Sequence, residues 1–175
     1  MPSQNEDAVF RLVKSLNKAE KRHFKVFVNR LSGGDEVLFM QLFNLMDKNE
    51  QYQDRDAERI PGIKRKQISN LKRHLQKQIL ISLRLLGTNK IPELAVREQM
   101  DFARLLYGKG LYMQSLKVLD KAKQMANEAH EDLLELEIIE FEKIIEARHI
   151  TRSIENRAEE LTAQSKRRKE VISSS

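Results

Sequence analysis

The chain contains no cysteine and no tryptophan. Without cysteine there is no disulfide framework, no thiolate zinc site and no cysteine nucleophile. Glycine and proline are scarce, six and three in 175 residues, which excludes a loop-rich all-β fold. Long hydrophobic runs are also missing. The strongest, Val37 to Met46 and Ile79 to Leu86, are broken by Gln41 and Asn44 and by Arg84, and neither nears the ~20 residues needed to span a bilayer. The first residues, Met1 to Asp7, are polar and acidic, without the basic and apolar regions of a secretory signal. The expectation is therefore no membrane association and a cytoplasmic location. Apolar residues at 40% and charged residues at 33%, regularly spaced, are too ordered a pattern for a disordered chain.

What is present is helical periodicity. Val9, Leu12, Val13 and Leu16 fall at i, i+3, i+4 and i+7, and Phe24, Phe27, Val28 and Leu31 repeat that spacing. Asn17 and Glu20 have the spacing of a capping box at the start of the second helix, and Gly33-Gly34 is expected to end it. A third helix is predicted from Asp35 to about Lys48, on Leu38, Phe39, Leu42, Phe43 and Met46. A polar stretch follows, with one short helical turn before Pro61. A long helix then runs from about Lys64 to Leu86. Five of the seven phenylalanines precede residue 44, so residues 1–87 are expected to form a small helical bundle with its own core. Gly87 to Pro92 reads as the boundary. Residues 93–175 follow as helices over Glu93–Tyr107, Met113–Glu128, Glu131 to about His149, and Ser153 to about Ile172. The fold class is all-α.

The segment Gln99 to Asn127 resembles a tetratricopeptide repeat, a helical hairpin whose pattern is W-x2-L-G-x2-Y, then A-x3-F, then a terminal proline. Phe102-Ala103 stands at the Leu-Gly pair and Leu106 at the Tyr. The turn is Gly108 to Tyr112, Ser115-x3-Leu119 follows, and Ala122 is the small residue of the second helix. Gln99 replaces the Trp, Asn127 replaces the Pro, and one period later the small position is Glu137. Small side chains at Ala103, Ser115 and Ala122 would let two helices approach closely. The resemblance implies hairpins of a solenoid-like array that bind a protein partner in a groove lined by the first helix. Arg97, Met100, Arg104 and Tyr107 are the face it points to, with packing as the competing role of Met100 and Tyr107. Glu131 to Ile150 is apolar over a wide arc and is expected to need neighbours on two sides. The chain ends in three serines with no stop signal, which reads as part of a longer repeat protein.

Charge is one-sided between Arg59 and Pro92, with nine Lys and Arg and no Asp or Glu. At 100° per residue Lys66, Arg73, Lys77 and Arg84 share one helix face, opposite Ile68, Leu71, Leu75, Ile79 and Leu86. Ile79-Leu80-Ile81 looks like core. The cationic row is either a solvated face, compensated by Glu131, Glu135, Glu142 and Glu146, or an anion-binding face. Nucleic acid is the second candidate partner, through a loose helix-turn-helix around Pro61-Gly62. The lack of aromatics from Arg59 to Lys90 argues against single-strand binding. Lys166 to Lys169 is a second basic cluster. Self-association through the last helices is a third possibility.

No catalytic or cofactor signature emerges. His130-Glu131 opens like H-E-x-x-H, but Leu134 stands where the second His belongs. Gly108-Lys109-Gly110 lacks the strand and spacing of a phosphate loop. Asp47, Asn49, Gln51 and Glu58 mimic a calcium loop, but Tyr52 and Arg55 occupy positions that need Gly and a ligand. The expectation is a non-enzymatic scaffold without cofactor or metal.

Overall fold

The computed structural model describes residues 7–31 and 34–174. The described residues form α-helices and no strand, and no helix among them is long and apolar enough to cross a membrane. The chain divides into two compact units, residues 1–89 and 90–175.

The first unit holds α1 (Ala8–Ser15), α2 (Lys18–Asn29), α3 (Gly34–Lys48), the single turn α4 (Asp54–Ala57) and α5 (Arg65–Gly87). The starts of α1 and α2 have local causes. The Asp7 carboxylate accepts from the amides of Val9 and Phe10, both at 3.0 Å, and so caps α1. The predicted capping box forms: the Glu20 amide donates to Asn17 Oδ1 at 2.9 Å, and the Asn17 amide to Glu20 Oε2 at 2.8 Å. The proposed stop at Gly33 lies outside the described residues. At the Pro61-Gly62 turn, Gly62 has φ +90°, a conformation that a Cβ would strain.

α5 is the hub, packing against α1, α2, α3 and α4. Its apolar stripe, Ile68, Leu71, Leu75 and Ile79, is buried as expected, whereas Leu86 is only partly covered. The rings of Phe24 and Phe43 lie 4.8 Å apart and those of Phe24 and Phe39 6.5 Å, and Phe39 rests on His74. His23 Nδ1 reaches Ser82 Oγ at 2.7 Å, which satisfies the one buried polar side chain on α5.

One ion-pair network ties the bundle's start to its centre. Lys72 Nζ donates to Asp7 at 2.7 Å and to Asp54 at 3.0 Å. Burial alone raises the Asp7 pKa, but Lys72 and the Phe10 and Val9 amides outweigh it and hold the carboxyl below its ordinary 3.8. Burial likewise acts to lower the Lys72 pKa, yet Asp7 and Asp54 raise it above 10.5. Burial, followed by the nearby Asp54 carboxylate, pushes the Tyr52 phenol far above its usual range. A depressed carboxyl stabilises fully above its unfolded value and loses that contribution as pH falls through the folded one. The bundle therefore weakens below about pH 4 through Asp7. Asp7→Asn should flatten part of this acid limb in urea midpoints measured from neutral to acidic pH; an unchanged limb would remove Asp7 from the account.

The second unit holds α6 (Pro92–Gly108), α7 (Tyr112–Glu128) and α8 (Asp132–Ser173). Pro92 opens α6 at its first turn, where a missing amide costs nothing. Both turns of this unit use one device. After α6, Leu111 donates to the Leu106 carbonyl and Gly110 to that of Tyr107, with Gly110 at φ +77°. After α7, Glu131 donates to Ala126 and His130 to Asn127, with His130 at φ +58°. These are Schellman closures, and the second places a non-glycine residue in the left-handed conformation. His130 is thus a helix terminator.

The seam of the α6–α7 hairpin is made of small residues. Ala103, Ser115 and Ala122 are all fully buried, and Ser115 Oγ donates to the Ala103 carbonyl at 2.6 Å. Leu119 and Ala126 extend the seam, and Leu134, Ile138, Phe141 and Ile145 of α8 complete the core. Two expectations need correction here. The break between about His149 and Ser153 does not exist, because no Gly or Pro falls between residues 132 and 173, and β-branched residues alone lower helix propensity too little to stop it. The wide apolar arc is covered on one side only: Leu133, Leu136 and Ile144 are exposed.

Candidate functional site

α5 has two faces of different chemistry. Its inner stripe fills the core, and its outer stripe follows the same 3.6-residue period with cations. Lys66, Arg73, Lys77 and Arg84 are all exposed, and no carboxylate occurs between Arg65 and Gly87. Lys72, one position from Arg73, points the other way into the Asp7–Asp54 network.

Leu80 is misplaced in a reading that assigns it to the core. It is 51% exposed and sits between Lys77 and Arg84 on the cationic stripe. With Ile81 and Gln76 it floors a shallow depression of about 350 Å³, rimmed by Arg73, Lys77 and Arg84. A neighbouring depression of about 360 Å³ is lined by Asn70, Arg73, His74, Lys77 and Gln78. His74 is held there by Phe39 beneath it and by Gln78, 3.3 Å away. Arg73, Lys77 and Arg84 are therefore gathered around one apolar floor, while Lys66 lies on the same stripe but does not line the depression. Signal for Leu80 was present in the sequence: residues 73, 77, 80 and 84 share an arc of about 60° at 100° per residue.

The four residues of the α6 face are distributed differently. Arg97 is exposed and pairs with Glu93 at 3.1 Å. Met100 and Tyr107 are partly buried against the core of the second unit. Tyr107 meets Phe141 edge-on at 5.6 Å and Tyr112 at 5.5 Å, with the Arg148 guanidinium 5.7 Å over its ring. The Arg104 guanidinium lies 4.4 Å over Phe141. Met100 and Tyr107 thus pack within the unit, whereas Arg104 stacks on Phe141 and stays exposed, like Arg97.

Two carboxylates of the α8 row, Glu142 and Glu135, have partners within their own unit. Glu142 takes Lys123 at 2.8 Å, and this hydrogen bond chiefly raises the Lys123 pKa. Glu135 accepts from Asn127. The calcium-like segment is also committed elsewhere: Asp47 pairs with Lys21 at 2.6 Å, and its carbonyl accepts from Lys14. Among the described residues no three His, Cys, Asp or Glu side chains cluster so as to hold a metal.

No protein-family model, no characterised protein and no solved structure matches the chain significantly.

Proposed function

We propose that the chain is a non-enzymatic protein-interaction module, with α6–α8 as tetratricopeptide-like hairpins and the outer face of α5 as the surface that takes an acidic amphipathic helix of a partner. The observation that carries this reading is Leu80, half-exposed on an apolar floor inside a cationic rim. A phosphate backbone needs cations spaced along a stripe and gains little from an apolar floor. An amphipathic helix needs both: a slot for an apolar anchor, and charges that fix its orientation and speed its encounter. Arg73 adds planar donors suited to carboxylates. The displaced titrations at Asp7, Tyr52, Lys72 and Lys123 belong to caps and ion pairs, which fits a binding role better than an acid–base one.

The test is fluorescence anisotropy with a labelled synthetic helix carrying Glu and Leu at helical spacing, beside its Lys counterpart and a labelled duplex. The acidic helix should bind and the Lys helix should not. Leu80→Asp, and separately Arg73→Glu with Lys77→Glu, should each weaken binding at least about tenfold, or about 1.4 kcal/mol. Duplex binding at low salt that survives Leu80→Asp, with no binding of the acidic helix, would replace this reading with nucleic-acid recognition.

A further inference from the structure

The two depressions on α5 share a wall, since Arg73 and Lys77 line both. The first is the apolar-floored slot at Leu80. The second differs in chemistry. Its described lining is Asn70, Arg73, His74, Lys77 and Gln78, with no aliphatic side chain and no carboxylate among them. Each of the five carries N–H donors. They fall at i, i+3, i+4, i+7 and i+8, on one face over two helical turns. The His74 ring rests on Phe39 with 4.9 Å between centroids, and its Nε2 lies 3.3 Å from the Gln78 amide nitrogen. The charges nearby are mostly cations. Lys66 stands one turn before Asn70, while Lys72 faces away to Asp7 and Asp54. On α2 the one carboxylate, Glu20, is held in its capping box. On α3, whose Phe39 backs the ring, Asp47 pairs with Lys21. The side chains of Asp35 and Glu36 lie outside the described residues.

We infer that this basin takes a phosphomonoester, the phosphorylated serine or threonine of the partner helix whose apolar anchor fills the Leu80 slot. The inference deepens the α5 reading and rests on it. A carboxylate offers two oxygens and one charge. A phosphomonoester offers three terminal oxygens and about −1.5 to −2 charge at pH 7, which suits five donor side chains that include a guanidinium and an ammonium. The lining of the basin is centred about four residues before that of the slot, or about 6 Å along α5 at 1.5 Å per residue. That is about one turn of a partner helix lying along α5, so the phosphate stands three or four residues from the anchor. A nucleic-acid strand would need donor basins repeated along the stripe, but the adjoining depression has an apolar floor instead.

Fluorescence anisotropy of the full chain at one ionic strength tests it. The probes are acidic helices with a single leucine anchor and serine, phosphoserine or glutamate placed four residues before the anchor, or four residues after it. In one placement phosphoserine should bind at least about tenfold tighter than serine, and glutamate at most about threefold tighter. Asn70→Ala with Gln78→Ala lies in the basin and outside the slot, and it leaves the net charge unchanged. It should cut the phosphoserine gain to about threefold or less and leave the affinity of the serine helix and the circular dichroism as they were. If no version binds, the α5 reading ends and this inference with it. If the serine helix binds but phosphoserine adds nothing, adds the same in both placements, adds no more than glutamate, or keeps its gain in the double variant, the inference falls and the α5 reading stands. A gain that appears only with Asp35→Asn and Glu36→Gln would mean that the chain's own carboxylates close the basin, and would overturn it too.

Discussion

Phe24→Ala should cost the first unit about 3–5 kcal/mol, enough to remove most of the stability that a small domain has. Phe24 is 1% exposed and lies against both Phe39 and Phe43. It carries the contact between α2 and α3 over the α5 stripe. Removing the ring takes away its transfer free energy and leaves a cavity walled by two rigid aromatics, which cannot collapse as aliphatic neighbours do. Phe27, one turn away on the same helix, is only partly buried, and Phe27→Ala should cost less than half as much. Urea unfolding followed by circular dichroism gives both numbers. A loss below about 1.5 kcal/mol for Phe24→Ala would mean that the aromatic cluster is not the centre of this core.

Ala103→Leu should destabilise the α6–α7 hairpin by about 1–3 kcal/mol, although the new side chain is more apolar. The Ala103 Cβ faces a seam in which Ser115 and Ala122 are fully buried, and the Ala103 carbonyl is the acceptor for Ser115 Oγ at 2.6 Å. Three added carbons can be placed only by pushing α7 away, which also breaks that hydrogen bond. Met113→Leu, on an exposed position of α7, is the matched control and should be neutral. Thermal unfolding of both variants decides it: equal midpoints would mean that the two helices are not in close register at Ala103.

The two units were legible in the sequence to different degrees. In the first, helical spacing located the core stripes, and Asn17 with Glu20 announced a helix start that forms as expected, because capping is a local interaction within four residues. The Asp7–Lys72–Asp54 network was invisible, since no periodicity links residues that meet only through the tertiary fold. Ile79-Leu80-Ile81 reads as one apolar block, but helical rotation turns each residue by 100° and carries Leu80 to the exposed face. In the second unit the small residues Ala103, Ser115 and Ala122 marked a close approach, and the hairpin brings all three into its seam. The expected interruption near residue 150 is absent from α8. Without glycine or proline there was no physical cause for a break. The contacts of Phe141 with Arg104 and, edge-on, with Tyr107 depend on the path of α8, which a resemblance confined to Gln99–Asn127 does not carry.

The lysine at position 72 sets an order of events during synthesis. The cap of α1 is finished by a cation 65 residues further along, and an eight-residue helix is too short to persist in water unaided. While the ribosome is still making the first four helices, their apolar faces have no α5 to close on, and that half must wait for a distant strut. The hairpin after it closes over a separation of only 12 residues between Ala103 and Ser115, so it can set almost as it emerges. A nascent chain stalled just short of α5 should therefore be the species most in need of a chaperone.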